Sequence, residues 1–238
     1  MITKRQLFTF IRLITLLFFT GLMLNITVPY ISLKSTQSFL QIKQWIVDNA
    51  VWRFAFFTHV FTSIFLLLAG FTQFRAPEKP FRRQLHRSFG KAYVFIILFL
   101  SGPAGFIMAI YANGGLTSKI AFGILDLLWL YTTAKAWTSI REHDLKAHIN
   151  YMLRSYALTL SAVTLRAWKY IIVFFLHPHP MDVYRMVAWL GWIPNILLAE
   201  FLIYNRIYPS EERSIMKKVF PHNPTTPMAQ GSRLKARD

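Results

Sequence analysis

Six long apolar runs follow one another along this chain, and short polar segments separate them. A helix needs about 20 mostly apolar residues to cross the roughly 30 Å of hydrocarbon in a bilayer, and each run is close to that length. The pattern therefore predicts an all-α integral membrane protein with six transmembrane helices in one bundle. The runs cover residues 7–30, 54–74, 92–112, 120–140, 151–176 and 186–204.

Composition agrees with a single membrane domain over residues 1–205. Apolar residues make up 54% of the 238 residues and aromatic residues 16%, so little of the chain remains for a soluble domain. The segment after residue 205 is basic and looks extramembrane, and after Pro221 large apolar residues become few, which predicts a basic, partly disordered cytoplasmic tail over 206–238. The chain has no Cys, which excludes disulfides, thiolate metal sites and Cys nucleophiles.

The net charge of +17 is distributed by segment. If the spans alternate in direction, 20 of the 27 Lys and Arg residues lie on one side of the membrane and five on the other. The positive-inside rule then places both termini in the cytoplasm. The basic excess is explained by orientation and by attraction to anionic lipid headgroups, so we expect no nucleic acid partner. The basic segments are 1–12, 75–91, 135–154 and 206–238.

Ionisable residues at membrane depth predict an intramembrane polar site in the outer half of the bundle. Arg166 and Lys169 lie inside the fifth apolar run, where a cation costs about 3 kcal/mol at a helix centre. Counted along the helices, His59 and Asp126 lie at a similar depth, and Asp126 is expected to offset Arg166 if their helices adjoin. Gln73 lies on roughly the same helix face as His59. Alternatively, small residues merely allow close packing, Lys169 extends to the surface and Arg166 bonds to carbonyls.

A second group of polar residues lies near the predicted cytoplasmic face. His86 and His148 have equal depth on different helices, which is the arrangement that a bis-histidine heme b requires. Arg87 or Arg154 would then hold the heme propionates. Glu200 could accept a proton or a cation, and a neutral histidine near a carboxylate could relay protons. The alternative is that these residues simply mark the headgroup boundary.

Three segments of the chain resemble a family of predicted membrane proteins catalogued as domain of unknown function 2306. They are QFRAPEKPFRRQLHRSFGKAYV, SGPAGF and GILDLLWLYTTAKAWTSIREHDLKAHINYMLRSYALTLSAVTLRAW. The resemblance implies a family core over about 54–205 and a bacterial inner-membrane location, but no activity. Its motif residues here are His59, Gln73, His86, Arg87, Gly90, Tyr93, Trp129, Thr132, Thr133, Arg141, His148, Met152, Arg154, Ser155, Tyr156 and Arg166.

Two function classes follow from these residues. The first is a b-type heme or proton-coupled membrane redox protein that uses His86 and His148, with a quinone or another small molecule as ligand. The chain also has a looser similarity to diheme membrane cytochromes, but its fourth span contains no histidine, so only one inner heme is expected. The second class is a non-enzymatic transporter of small molecules or ions, or a membrane accessory protein, that uses the site around Arg166.

Overall fold

The computed structural model describes residues 4–73 and 80–205, which form helices and contain no strand. The predicted tail over 206–238 lies outside the described residues. Two 3₁₀ turns, Val28–Ser32 and Ser38–Lys43, follow the first helix, and a π-helical turn spans Ile97–Ser101. The α-helices are α1 (Lys4–Thr27), α2 (Ala50–Gln73), α3 (Pro80–Ile96), α4 (Gly102–Ile110), α5 (Gly115–Arg141), α6 (Leu145–Thr159), α7 (Ser161–Leu176), α8 (Pro180–Leu190) and α9 (Ile193–Tyr204).

Three helical stretches in the described part of the chain are long and apolar enough to cross a membrane. They are Ala50–Gly70, Pro80–Ile110 and Pro180–Tyr204. A fourth is added if α6 and α7, which meet at a 40° bend, count as one span. Helix α5 has 27 residues, a sufficient length, but its Lys and Asp residues lower its mean hydropathy. The described residues thus confirm an all-α fold with three or four helices of membrane-spanning length, which is consistent with the expected membrane protein.

The helices do not coincide with the apolar runs. Helix α3 begins at Pro80, well before the third run, and a proline in the first turn is compatible with a helix because no intrahelical N–H is lost there. Part of the basic segment 75–91 is therefore helical. Residues 151–176, expected as one helix, are divided between α6 and α7.

The second break separates α8 from α9, and it faces the break between α6 and α7. Pro194 has no N–H to continue the helix, which accounts for an interruption at this point. The Asn195 amide donates to Ala157 O at 3.1 Å and to Thr164 Oγ1 at 3.0 Å, and the Thr164 hydroxyl donates to Gly191 O. Backbone carbonyls near both breaks thereby acquire partners, as an apolar environment requires.

Helix α5 lies at the centre of the packing, in contact with α4, α6 and α8. The main buried cluster joins α2, α3, α5 and α6, and it includes Leu66, Ala69, Tyr93, Val94, Ile97, Trp129, Tyr156, Leu158 and Trp192. Many large apolar side chains point outward instead. Phe54, Phe174 and Phe175 are each more than 70% exposed, which is expected of a surface that faces lipid.

Residues 28–49 fold over one end of α2 and α4, and we call them the outer cap after the side of the membrane that the distribution of Lys and Arg predicts for them. The buried Lys43 ammonium holds this cap in place by donating to Tyr111 O and, at 2.7 Å, to Asn113 Oδ1. It also lies 5.3 Å from the Trp45 ring, a cation–π contact. Burial, assisted by repulsion from Lys119, lowers the pKa of Lys43 to about 8. The cap is thus held by a buried cation that has hydrogen-bond acceptors but no ion-pair partner.

Candidate functional site

A polar site lies inside the bundle near the outer cap, where α2, α4 and α5 meet. His59 of α2 contacts the carbonyl oxygen of Ser101 through Nδ1 at 2.9 Å and the Ser101 hydroxyl at 3.3 Å. A carbonyl oxygen only accepts, so Nδ1 of His59 carries the hydrogen and Nε2 is the basic nitrogen. We call the group His59, Ser101, Gly105 and Asp126 the outer polar site.

Asp126 is the acidic member of this site. It is 5% exposed, and its Oδ2 atom is buried without a hydrogen-bond partner in residues 4–73 and 80–205. A Cβ atom placed on Gly105 would lie 2.7 Å from Asp126 Oδ1 and 3.2 Å from two atoms of the His59 ring. The carboxyl group and the imidazole therefore meet at the same glycine, and the absence of a side chain there makes room for both.

The predicted ion pair between Asp126 and Arg166 does not form. The ion pairs among the described residues are Arg154 with Glu200 and Arg185 with Asp182. Arg166 instead donates from Nη1 to Ala162 O of its own helix at 2.5 Å. The physical reason is that α5 and α7 are on different sides of the bundle: α5 packs against α4, α6 and α8, whereas α7 packs mainly against α8.

Arg166 nevertheless lies near the outer polar site. Its charge is close enough to interact with His59 and with Tyr30 of the outer cap. His59 thus has both a cation of α7 and a carboxyl group of α5 in its surroundings. Lys169, one turn further along α7, is exposed and does not belong to this group. The alternative expectation for these two cations, a carbonyl partner for Arg166 and an outward Lys169, agrees with the geometry.

A network of hydroxyl groups fills the centre of the bundle and connects α3, α5 and α6. Tyr93 Oη lies 2.9 Å from Ser155 Oγ and 2.8 Å from Thr159 Oγ1, and Trp129 Nε1 donates to Thr159 Oγ1 at 3.0 Å. Thr133 Oγ1 lies 2.7 Å from Ser155 Oγ. These buried polar atoms satisfy one another. We call these five residues the hydroxyl network.

One face of α5 runs from the outer polar site to the opposite end of the bundle, which is the predicted cytoplasmic end. Asp126, Trp129, Thr133 and Ala136 follow one another at three or four residues, which places them on the same side of a helix. The Ala136 carbonyl at the far end of this face accepts from His148 Nδ1 at 2.7 Å. At 1.5 Å per residue the face covers about 15 Å between Asp126 and Ala136.

His86, His148, Arg154 and Glu200, which we call the cytoplasmic group after their predicted side of the membrane, differ from the heme arrangement in the partner of Arg154. His86 lies close enough to His148 for their charges to interact, as expected. Arg154, expected as a propionate partner, makes two hydrogen bonds to Glu200, at 2.5 and 2.8 Å. Glu200 accordingly belongs to this cytoplasmic group, and it is not part of the outer polar site. Arg87 is exposed.

Gln73 also lies at the cytoplasmic end, although it shares a helix with His59. Its amide donates to the carbonyl oxygen of His86 at 3.2 Å, and a Cβ on Gly90 would lie 3.1 Å from its Oε1 atom. Gln73 was expected in the site of His59 because the two share a helix face. They are 14 residues apart, however, which is about 21 Å along α2. Gln73 therefore positions the start of α3 beneath α2.

The residues of the cytoplasmic group can be checked against the ligands that a heme requires. His148 donates Nδ1 to a carbonyl, so Nε2 is free to bind a metal, which is the usual second-shell arrangement of a histidine ligand. His86 is nearby. A propionate at Arg154 would have to displace Glu200. No group of three or more His, Asp or Glu residues that could hold a metal ion occurs in residues 4–73 and 80–205.

The sequence did not indicate that residues from different family motifs lie together in the folded chain. Tyr93, Thr133 and Ser155 come from three different motifs, and only the packing of three helices brings their hydroxyls together. Ser101 and Gly105 were also missed. The signal that could have indicated them is SGPAG, because small residues around a proline allow close helix contact and interrupt the α-helix.

The comparisons with known proteins agree with the resemblance of those motifs. A family model described as "Predicted membrane protein (DUF2306)" matches residues 56–203, which is more than half of the chain and includes each motif residue named above. No curated protein matches the chain, and neither does a solved structure. The match supplies no reaction and no ligand. The chain belongs to the DUF2306 family of predicted membrane proteins.

Proposed function

We propose that this is a proton-coupled membrane protein in which Asp126 of the outer polar site binds and releases the proton. The observation that carries the proposal is the buried Asp126 carboxyl group, which has one oxygen without a partner and no cation paired to it. An ionised carboxylate in such surroundings is costly, and the group avoids the cost by taking up a proton. An intramembrane carboxylic acid of this kind is typical of proton relays.

The neighbours of Asp126 support proton exchange. The Nε2 atom of neutral His59 can accept a proton, and His59 contacts the same glycine as the Asp126 carboxyl group. The Thr133 hydroxyl lies on the same face of α5 as Asp126, and the hydroxyl groups of the network bonded to it offer a route along which a proton could continue. The proton would move between a carboxyl oxygen, an imidazole nitrogen and these hydroxyls, with no change in their redox state.

We also propose the topology of six spans with both termini in the cytoplasm, in a bacterial inner membrane. The spans would be α1, α2, α3 with α4, α5, α6 with α7, and α8 with α9, each of 24 residues or more. Support comes from these lengths and from the distribution of Lys and Arg. Because the chain lacks Cys, a membrane-impermeant maleimide in intact cells should label Lys34→Cys and spare Glu142→Cys. The opposite labelling would reverse the orientation.

Proton transfer is tested in liposomes that contain the purified protein and a pH-sensitive dye. With an imposed membrane potential, the wild type is expected to change the internal pH faster than empty liposomes. Asp126→Asn should reduce this rate at least about ten-fold, since an amide cannot exchange a proton in the required range. The control is Asp182→Asn, an exposed ion-pair residue. Wild-type activity retained in Asp126→Asn would contradict the proposal.

Heme b between His86 and His148 is the second candidate function. It is favoured by one observation, the orientation of His148 by the Ala136 carbonyl at 2.7 Å with His86 close by. Purified protein should then show a Soret absorption band that is lost in His86→Ala and in His148→Ala. Protein that stays colourless after expression with added heme precursor would exclude this candidate and leave the Asp126 proposal intact.

A further inference from the structure

A groove of about 770 Å³ runs along the first half of α2 and opens at the surface of the bundle. Its walls are mainly aromatic and aliphatic, and several of them are strongly exposed, such as Phe54 at 75% and Leu33 at 60%. The groove is separate from the outer polar site, which lies on another face of α2. The lining residues are Leu33, Ala50, Arg53, Phe54, Phe57, Thr58, Phe61, Thr62 and Leu100.

The polar groups of the groove are distributed unevenly. Arg53, in the first turn of α2, is the charged residue in the lining, and it is exposed and forms no ion pair with another described residue. The Thr62 hydroxyl, nine positions further down the helix, donates to the carbonyl oxygen of Thr58 at 2.7 Å. A ligand would therefore meet a free cation at the rim and a mostly apolar wall below it.

We propose that this groove binds an anionic phospholipid, with its phosphate at Arg53 and one acyl chain along Phe57 and Phe61. The charge pattern selects this occupant. A guanidinium pairs with phosphate through several N–H donors, whereas the lower groove has no comparable donor for a polar ligand. The distance from Arg53 to Thr62 is about 13 Å along the helix, so a chain attached to the phosphate reaches well into the hydrocarbon layer.

The floor of the groove connects this lipid to the outer polar site. Leu100 lines the groove and belongs to the π-helical turn Ile97–Ser101. The next residue, Ser101, accepts the hydrogen bond from His59. Single π-helical turns are frequent at functional sites, and here one turn contacts the lipid groove on one side and the histidine on the other. The lipid proposal does not depend on the proposed proton exchange.

The test measures binding of phosphatidylglycerol and phosphatidylcholine to purified protein by native mass spectrometry. The wild type should bind phosphatidylglycerol more tightly. Arg53→Gln should weaken that binding about five-fold, because one basic residue near an anionic lipid contributes a factor of that order. The matched control, Lys34→Gln, removes an exposed cation of the outer cap outside the groove and should leave the affinity unchanged. Equal losses in both variants would mean nonspecific attraction and would overturn the proposal.

A second variant tests the acyl-chain part of the groove. Leu100→Trp fills the lower groove and should reduce the number of tightly bound lipids, whereas Leu198→Trp, on the exposed face of α9, should not. If Leu100→Trp binds phosphatidylglycerol as the wild type does, the chain does not lie there and the proposal is wrong. A stable dimer that Leu100→Trp disrupts would assign the groove to a second copy of this chain instead, which would also overturn it.

Discussion

The hydroxyl network and the outer polar site are both buried and both use α5, yet they differ in one respect. In the network, Tyr93, Thr159 and Trp129 satisfy one another across three helices. In the outer polar site, Asp126 presents an oxygen without a partner among the described residues, and Arg166 donates to a carbonyl of its own helix instead. The two regions lie next to each other on the same face of one helix.

This difference separates a structural role from a functional one. A buried polar network whose members are all bonded holds helices in a single arrangement, because any shift would leave a donor or acceptor unpaired. A buried carboxyl group without a partner gives no such stabilisation, and it persists only if something else depends on it. Stability measurements should therefore respond in opposite ways to changes in the two regions.

The largest effect is expected for Thr159→Val in the hydroxyl network. Valine keeps the shape of threonine but leaves the Trp129 N–H without an acceptor and removes one of the two hydroxyl partners of Tyr93, which should cost about 3 kcal/mol of unfolding free energy. Thermal unfolding in detergent measures the loss. Thr138→Val, which removes an exposed hydroxyl from α5, is the control and should change little. A small loss in Thr159→Val would show that the network does not hold the helices together.

Asp126→Leu is expected to change the free energy of unfolding in the opposite direction. Replacing a partnerless buried carboxyl group by an apolar side chain of similar volume should raise the unfolding free energy by about 2 kcal/mol, since the cost of burying the polar group disappears. The same thermal assay applies, with Asp182→Asn as the exposed control. A marked loss of stability would show that Asp126 has an important partner, which contradicts the comparison between the two regions.

A change at Gly105 should disturb the outer polar site without touching the hydroxyl network. Its Ala variant would place a Cβ 2.7 Å from Asp126 Oδ1, so the carboxyl group must move, at a cost of about 1.5 kcal/mol. Gly123→Ala is the matched control, because nothing lies within 4 Å of its Cβ position. If both alanine variants keep wild-type stability and wild-type proton transfer, the close contact at Gly105 has no role.

The sequence was sufficient to predict the family and the helical membrane class. Apolar run length carries that information, because a bilayer requires about 20 apolar residues whatever the neighbouring helices are. It could not predict the breaks between α6 and α7 and between α8 and α9. Those depend on Asn195 and Thr164, which supply partners to carbonyls of another helix, and such tertiary contacts leave no local pattern.

Partners of charged residues were the least predictable part of the site. Depth along a helix placed Arg166 level with Asp126, and it placed Arg154 at the level of the histidines. Depth does not specify which way a side chain points around its helix. The rotation of each helix about its own axis determines that Arg154 pairs with Glu200 of α9 and that Arg166 donates to the carbonyl of Ala162. Packing against the neighbouring helices fixes this rotation.

Lys43 extends the comparison to the outer cap, where a buried charge has acceptors but no counter-charge. Its pKa is about 8 in the folded chain and 10.5 when unfolded, so above pH 8 the unfolded chain holds more protons. The unfolding free energy should therefore rise with pH, by about 1 kcal/mol between pH 8 and 9. Thermal unfolding across this range measures the rise, and Lys43→Met should lack it while Lys34→Met, an exposed cation of the cap, keeps it. The same slope in wild type and Lys43→Met would mean that Lys43 keeps an ordinary pKa, and that hydrogen bonds to Tyr111 and Asn113 suffice to hold a buried cation without cost.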